Sequence, residues 1–202
     1  MKTRLKKTCL ALVAFFLLTG NHLQAQEITP ESKTTLSVET DPVTFLFKGY
    51  ALHIRIKPKN SKRLAVGAGL YALDMPSFLV NMNKENRNKG WNVRIHHAVS
   101  LFGEYYLGEA NNKWFVGLQA GIQNFTNTND LNPGEKSSYN NLLIMPSIGY
   151  NWRPFQKIGL YIKPWLGIGY TTRISGNNSI NTQKYSIAPV TNFVTLHVGY
   201  TF

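Results

Sequence analysis

The sequence predicts an all-β fold: eight antiparallel strands closed up-and-down into a transmembrane barrel, with short periplasmic turns and longer extracellular loops. Three observations lead there. The chain ends on a strand of clean period two. Seven earlier segments alternate in the same way, and the links between them alternate short and long.

In the final stretch Val194, Leu196, Val198, Tyr200 and Phe202 share one face. Phe193, Thr195, His197, Gly199 and Thr201 share the other. A period of two with one apolar face marks a strand. A membrane barrel needs a last strand of this kind to seal against its first, because lipid satisfies no backbone hydrogen-bonding group.

The 202 residues suffice for one domain. Residues 1–25 read as an export signal. Lys2, Arg4, Lys6 and Lys7 form a basic start, residues 9–18 an apolar run, and Leu23-Gln24-Ala25 a cleavage site. The apolar run is far shorter than the roughly 20 residues a spanning helix needs. Residues 26–33 are polar and read as a flexible lead-in, and 34–202 as the barrel. The single cysteine, Cys9, lies in the signal, so the exported chain has no thiol for a disulfide or for structural zinc.

The formal charge of +12 falls to +8 once the signal's four basic residues go, leaving 18 basic against 10 acidic. Scattered basic residues suit loops near anionic lipid head groups or sugar phosphates. They do not form the clustered footprint of a nucleic-acid binder.

The elements follow in order. Residues 34–40 alternate weakly and form the first strand. Asp41-Pro42 opens a short apolar piece, 43–47, with the look of a helix N-terminus, and Gly49 stops it. The second strand puts Tyr50, Leu52, Ile54 and Ile56 outward and His53 and Arg55 inward. The third runs from 63 to about 74. The fourth alternates from Trp91 to Leu107, with Trp91, Val93, Ile95 and Tyr105 outward and Arg94, His96 and Glu104 inward. The fifth places Trp114, Val116 and Leu118 outward. The sixth and seventh each carry a proline, Pro146 and Pro164, and suggest local bends or bulges there. Short links fall at 58–62, 108–112 and 153–157. Longer ones fall at 41–48, 75–90, 126–139 and 172–192.

The lipid face so defined carries aromatics at the strand ends, as two interfacial girdles require. Tyr50, Trp91 and Tyr170 sit at the loop end. Tyr105, Trp114, Trp152, Tyr200 and Phe202 sit at the turn end. The inward face carries glycines and a polar set: Glu39, His53, Arg55, Arg94, His96, Glu104, Lys163 and His197. A soluble barrel would reverse the two faces.

Signal, eight alternating segments and the ending Val198-Gly199-Tyr200-Thr201-Phe202 resemble the small outer-membrane barrels of Gram-negative bacteria, the OmpX/Ail-like and OmpA-barrel type. The resemblance implies outer-membrane lipids and lipopolysaccharide as surroundings. It also implies the barrel-insertion machinery as the reader of the C-terminal segment. Such folds host many tasks, so fold alone assigns none.

The leading expectation is a monomeric, non-enzymatic barrel whose extracellular loops serve surface interaction or envelope integrity through an unknown ligand. A lipid- or lipopolysaccharide-modifying enzyme and a small pore are the alternatives. His96, Ser100 and Glu104 share a face but stand too far apart along one strand for a triad. The histidines lack metal-ligand spacing, and no cofactor motif occurs. The stretch from Asp41 to Ile54 echoes that from Asp74 to Ile95. It reads as a repeated local solution, a short capped helix with a glycine exit and an interface aromatic; the alternative is that Phe45, Leu46, Phe78 and Leu79 form an apolar surface at the rim.

Overall fold

The computed structural model describes residues 33–155 and 157–202. The export signal and nearly all of the expected lead-in lie outside them. The described residues form ten strands: β1 (Thr35–Thr40), β2 (Tyr50–Lys57), β3 (Leu64–Asp74), β4 (Trp91–Tyr106), β5 (Lys113–Asn129), β6 (Asn132–Asn151), β7 (Leu160–Gly176), β8 (Ser179–Ile180), β9 (Gln183–Lys184) and β10 (Val190–Thr201). Two short helices, α1 (Val43–Leu46) and α2 (Ser77–Met82), lie in the loops.

Strands β1 to β7 and β10 close into a ring of antiparallel neighbours, while β8 and β9 make a separate small hairpin. Closure runs through β1, which pairs with β2 on one side and β10 on the other. The aromatic terminus takes part: the Phe202 N–H donates to the Leu36 carbonyl at 2.8 Å. Both chain ends of the barrel therefore meet at the end where the short turns lie.

The outer wall carries a continuous apolar band. Leu52, Ile54, Leu70, Leu101, Leu118, Ile122, Ile144, Leu166 and Ile168 are all exposed on it. Alternation delivers this band, because every second side chain leaves the sheet on the same side.

Four expectations change. Residues 126–139 are not a loop: β5 and β6 continue as a paired ribbon to a tight turn at Asp130 and Leu131, with Thr126 opposite Ser138. Its Asn, Thr and Ser side chains give little apolar alternation, so pattern misses it. Residues 172–192 are likewise shortened from both sides, since β7 runs to Gly176 and β10 begins at Val190. The two prolines cause no bulge. Both face the β6–β7 ladder, which passes over Met145-Pro146 and Lys163-Pro164 and resumes in the same register. A skipped rung absorbs each missing N–H.

The fourth change matters most. β4 has one extra residue at His96, where its pairing with β5 shifts between Ile95 and His97. An extra residue reverses the sides on which all earlier side chains leave. Trp91, Val93 and Ile95 therefore point into the barrel and are buried. Arg94 and His96 turn out instead.

Both short helices occupy the positions the echo marks. In the first, the Asp41 carboxylate accepts the Val43 N–H at 2.9 Å.

Candidate functional site

The lumen has two halves of opposite character. The half toward the turns is polar and ionic. Glu39 of β1, Arg55 of β2, Glu104 of β4, Lys163 of β7 and His197 of β10 project into it, all buried. Lys163 Nζ lies 2.8 Å from Glu39 Oε2 and 2.7 Å from Glu104 Oε1. Arg55 Nη2 lies 3.0 Å from Glu39 Oε1, and Arg55 Nη1 pairs with Glu104 Oε2. Two cations thus meet two carboxylates, each cation touching both. Buried charges are tolerated when paired and hydrogen-bonded in this way.

A second set of contacts holds the cluster in place. Tyr106 OH donates to Glu104 Oε2 at 2.8 Å and accepts from Arg55 Nη1 at 2.7 Å. His197 Nδ1 lies 2.8 Å from Glu39 Oε2, and the His53 ring stacks on His197 with centroids 4.6 Å apart. The Arg55 guanidinium lies 5.2 Å from the centre of the Tyr161 ring.

Glycine makes room for these large groups. A Cβ on Gly69 would stand 2.0 Å from the His53 ring, and one on Gly199 would stand 2.3 Å from Tyr161. Side chains from five strands therefore fill the cross-section, and the adjoining voids are only about 30 and 60 Å³.

The half toward the loops holds an apolar cluster set among buried amides such as Gln123, Asn127 and Asn141. Trp91, Val93, Ile95, Phe125 and Tyr139 line the wall, and Val80 of α2 and Ile180 of β8 close over them. Of these, Ile95, Phe125, Tyr139 and Val80 line a cavity of about 630 Å³. Its cover is knitted from two loops: the Asn86 side chain both donates to the Ser186 carbonyl and accepts the Ser186 N–H, each at 2.8 Å. Tyr185 packs edge-on against Trp91 in this cover, and burial pushes its hydroxyl up to about 12.

Of the polar residues expected inside, Glu39, His53, Arg55, Glu104, Lys163 and His197 come together in the ionic half. Arg94 and His96 do not. Arg94 pairs with Asp74 and donates to the Lys48 carbonyl, and His96 is exposed beside His97. The bulge at His96 is the reason. Of the aromatics expected outside, Tyr50, Tyr105, Trp114, Trp152, Tyr170, Tyr200 and Phe202 are exposed, whereas Trp91 is buried.

Sequence reasoning misses the apolar half of the lumen altogether. Val93 and Ile95 look lipid-facing on an apolar-out rule, yet they are inward residues of an apolar chamber. Among the described residues, no three His, Cys, Asp or Glu side chains stand in a metal-holding arrangement.

No family model and no curated protein matches the chain. Solved structures do. A major outer membrane protein from Thermus thermophilus superposes with a TM-score of 0.52 at 12% identity, covering 84% of this chain and 100% of the other. The fold is that of an outer-membrane β-barrel. The N-terminal β-barrel domain of Pseudomonas aeruginosa OprF aligns over 86% of this chain and 100% of its own, with a TM-score of 0.46 at 11% identity.

Proposed function

We propose that this chain is a sealed outer-membrane barrel of a Gram-negative bacterium that works non-enzymatically, through its loop end, in surface interaction or envelope integrity. The leader at residues 1–25 directs its export, and the segment Val198 to Phe202 presents it to the barrel-insertion machinery. Outer-membrane lipids and lipopolysaccharide surround the apolar band. The exposed Tyr50 and Tyr170 mark the outer interface, and Trp114, Trp152, Tyr200 and Phe202 the inner one.

One observation carries the reading: an outward apolar wall encloses a charged, paired interior. Water outside would invert that arrangement, and lipid outside demands it. The same interior opposes a pore, because five buried side chains from five strands span the lumen between its ends. It also opposes surface catalysis by His197, which is buried and engaged with Glu39.

Heat-modifiable mobility tests the reading. The protein extracted in detergent should run as a compact band on a denaturing gel and shift only after boiling. Purification as a soluble protein without detergent, with no shift, overturns it.

A further inference from the structure

We propose that the apolar chamber at the loop end binds an acyl chain, admitted sideways through a seam between β10 and β2. The inference rests on the membrane reading above and names the ligand class of that end of the barrel.

The seam arises because β1 is short. It pairs with β10 only from Ser37–Thr201 to Thr40–Val198. Among the described residues, β10 from Val190 to His197 has a strand neighbour only in β7. After Thr40 the chain leaves the wall and coils into α1, with Phe45 and Leu46 exposed. The last clasp across the gap is Thr195 Oγ1, which donates to Asp41 Oδ2 at 2.6 Å.

The cavity reaches this bare edge. Val190, Thr191, Asn192 and Phe193 all line it. A strand inside a sheet shows a cavity only alternate residues. Four in succession touch it because the cavity wraps round the edge of β10. The gap also lies at acyl-chain depth. Val190 pairs with Tyr170, the outer-interface aromatic, and the gap runs from there toward the middle of the barrel, past Val194, which is 81% exposed.

The lining mixes apolar walls with polar side chains, among them Lys84, Gln123, Asn141 and Thr171, and so fits an acyl chain that carries an oxygen-bearing group. Val80, Ile95, Phe125, Ile187 and Phe193 provide apolar walls. The volume of about 630 Å³ lies in the usual range for small-molecule sites. Asn141, 2% exposed, also lines the cavity. Its Nδ2 donates to Thr171 Oγ1 at 2.9 Å, and its Oδ1 has no partner among the described residues. Turning the amide over exchanges the two roles, since the Thr171 hydroxyl both donates and accepts. Asn141 can therefore serve a ligand's hydroxyl or its carbonyl.

Tryptophan quenching tests this. The chain has four tryptophans, and Trp114 and Trp152 are exposed on the outer wall. Replacing both (W114F/W152F) leaves Trp91 and Trp165, of which Trp91 borders the cavity through Tyr185. The purified protein is reconstituted into phosphatidylcholine nanodiscs, with bromine carried on the lipid acyl chain or on an added medium-chain fatty acid.

The remaining tryptophan emission should fall with brominated lipid, which identifies the bilayer as the source. A fall with the brominated fatty acid alone supports the same site filled by a free acid. Thr191→Phe, which fills the mouth, should abolish either effect. Asn141→Leu should raise the fatty-acid concentration for half quenching roughly fivefold, the loss of one hydrogen bond. No quenching by either reagent overturns the inference, and so does equal quenching after Thr191→Phe in a protein that keeps its mobility shift. In the unmodified protein, brominated lipid must quench Trp114 and Trp152. If it does not, the membrane reading itself fails.

Discussion

Lys163 is one of two cations that balance two carboxylates in a closed space. Its ammonium touches Glu39 and Glu104, and Arg55 closes the square from the other side. Removing one partner leaves a buried charge unpaired, which costs about 3–5 kcal/mol in comparable sites. Lys163→Met should lower the urea-unfolding free energy of the detergent-folded protein by about that much. The double variant K163M/E104Q removes charge of both signs and should regain much of the loss. If the two substitutions add independently, the pairing contributes nothing. Alternation alone puts Glu39, Arg55, Glu104, Lys163 and His197 on one side of the wall. Which of them meet is not legible, because contact across a lumen depends on register and stagger between distant strands.

At the scale of the element, the bulge in β4 decides what faces what. Two outcomes separate the bulged strand from an unbroken one. Trp91→Ala empties a buried site and should cost about 3 kcal/mol or more in urea unfolding. His96→Phe should stay within about 0.5 kcal/mol of the parent, since His96 is exposed. In an unbroken strand His96 would point inward, and the larger ring would overpack the lumen. The bulge hides in the sequence for a physical reason. Trp91, Val93 and Ile95 join a buried apolar cluster, so an inward run there looks the same as a lipid-facing one. The β5–β6 ribbon hides for the opposite reason. Neighbours such as Thr126, Asn127 and Thr128 are polar at consecutive positions, so no apolar period marks them as strand.

Across the whole molecule, polarity changes along the barrel axis as well as between its faces. Ions fill the turn half, and apolar side chains with a roofed cavity fill the loop half. The sealed half predicts that purified protein in a planar bilayer gives no stable conductance steps at neutral pH. Regular steps would show that the ion cluster opens. Strand number, direction and chain reversal at both ends are legible from link lengths and period. The lengthwise change is not, because a two-face pattern carries no coordinate along the axis.

The short first strand has a mechanical consequence. A closed ring fails at its weakest joint, and here the joint between β1 and β10 spans only residues 37–40, whereas β5 and β6 pair along nearly their full lengths. Local opening begins where the fewest bonds must break together. Amide protons of residues 37–40 should therefore exchange with deuterium sooner than those of Val116 to Ile122, without loss of the barrel. The ring would part along one line while the other seven joints stay shut.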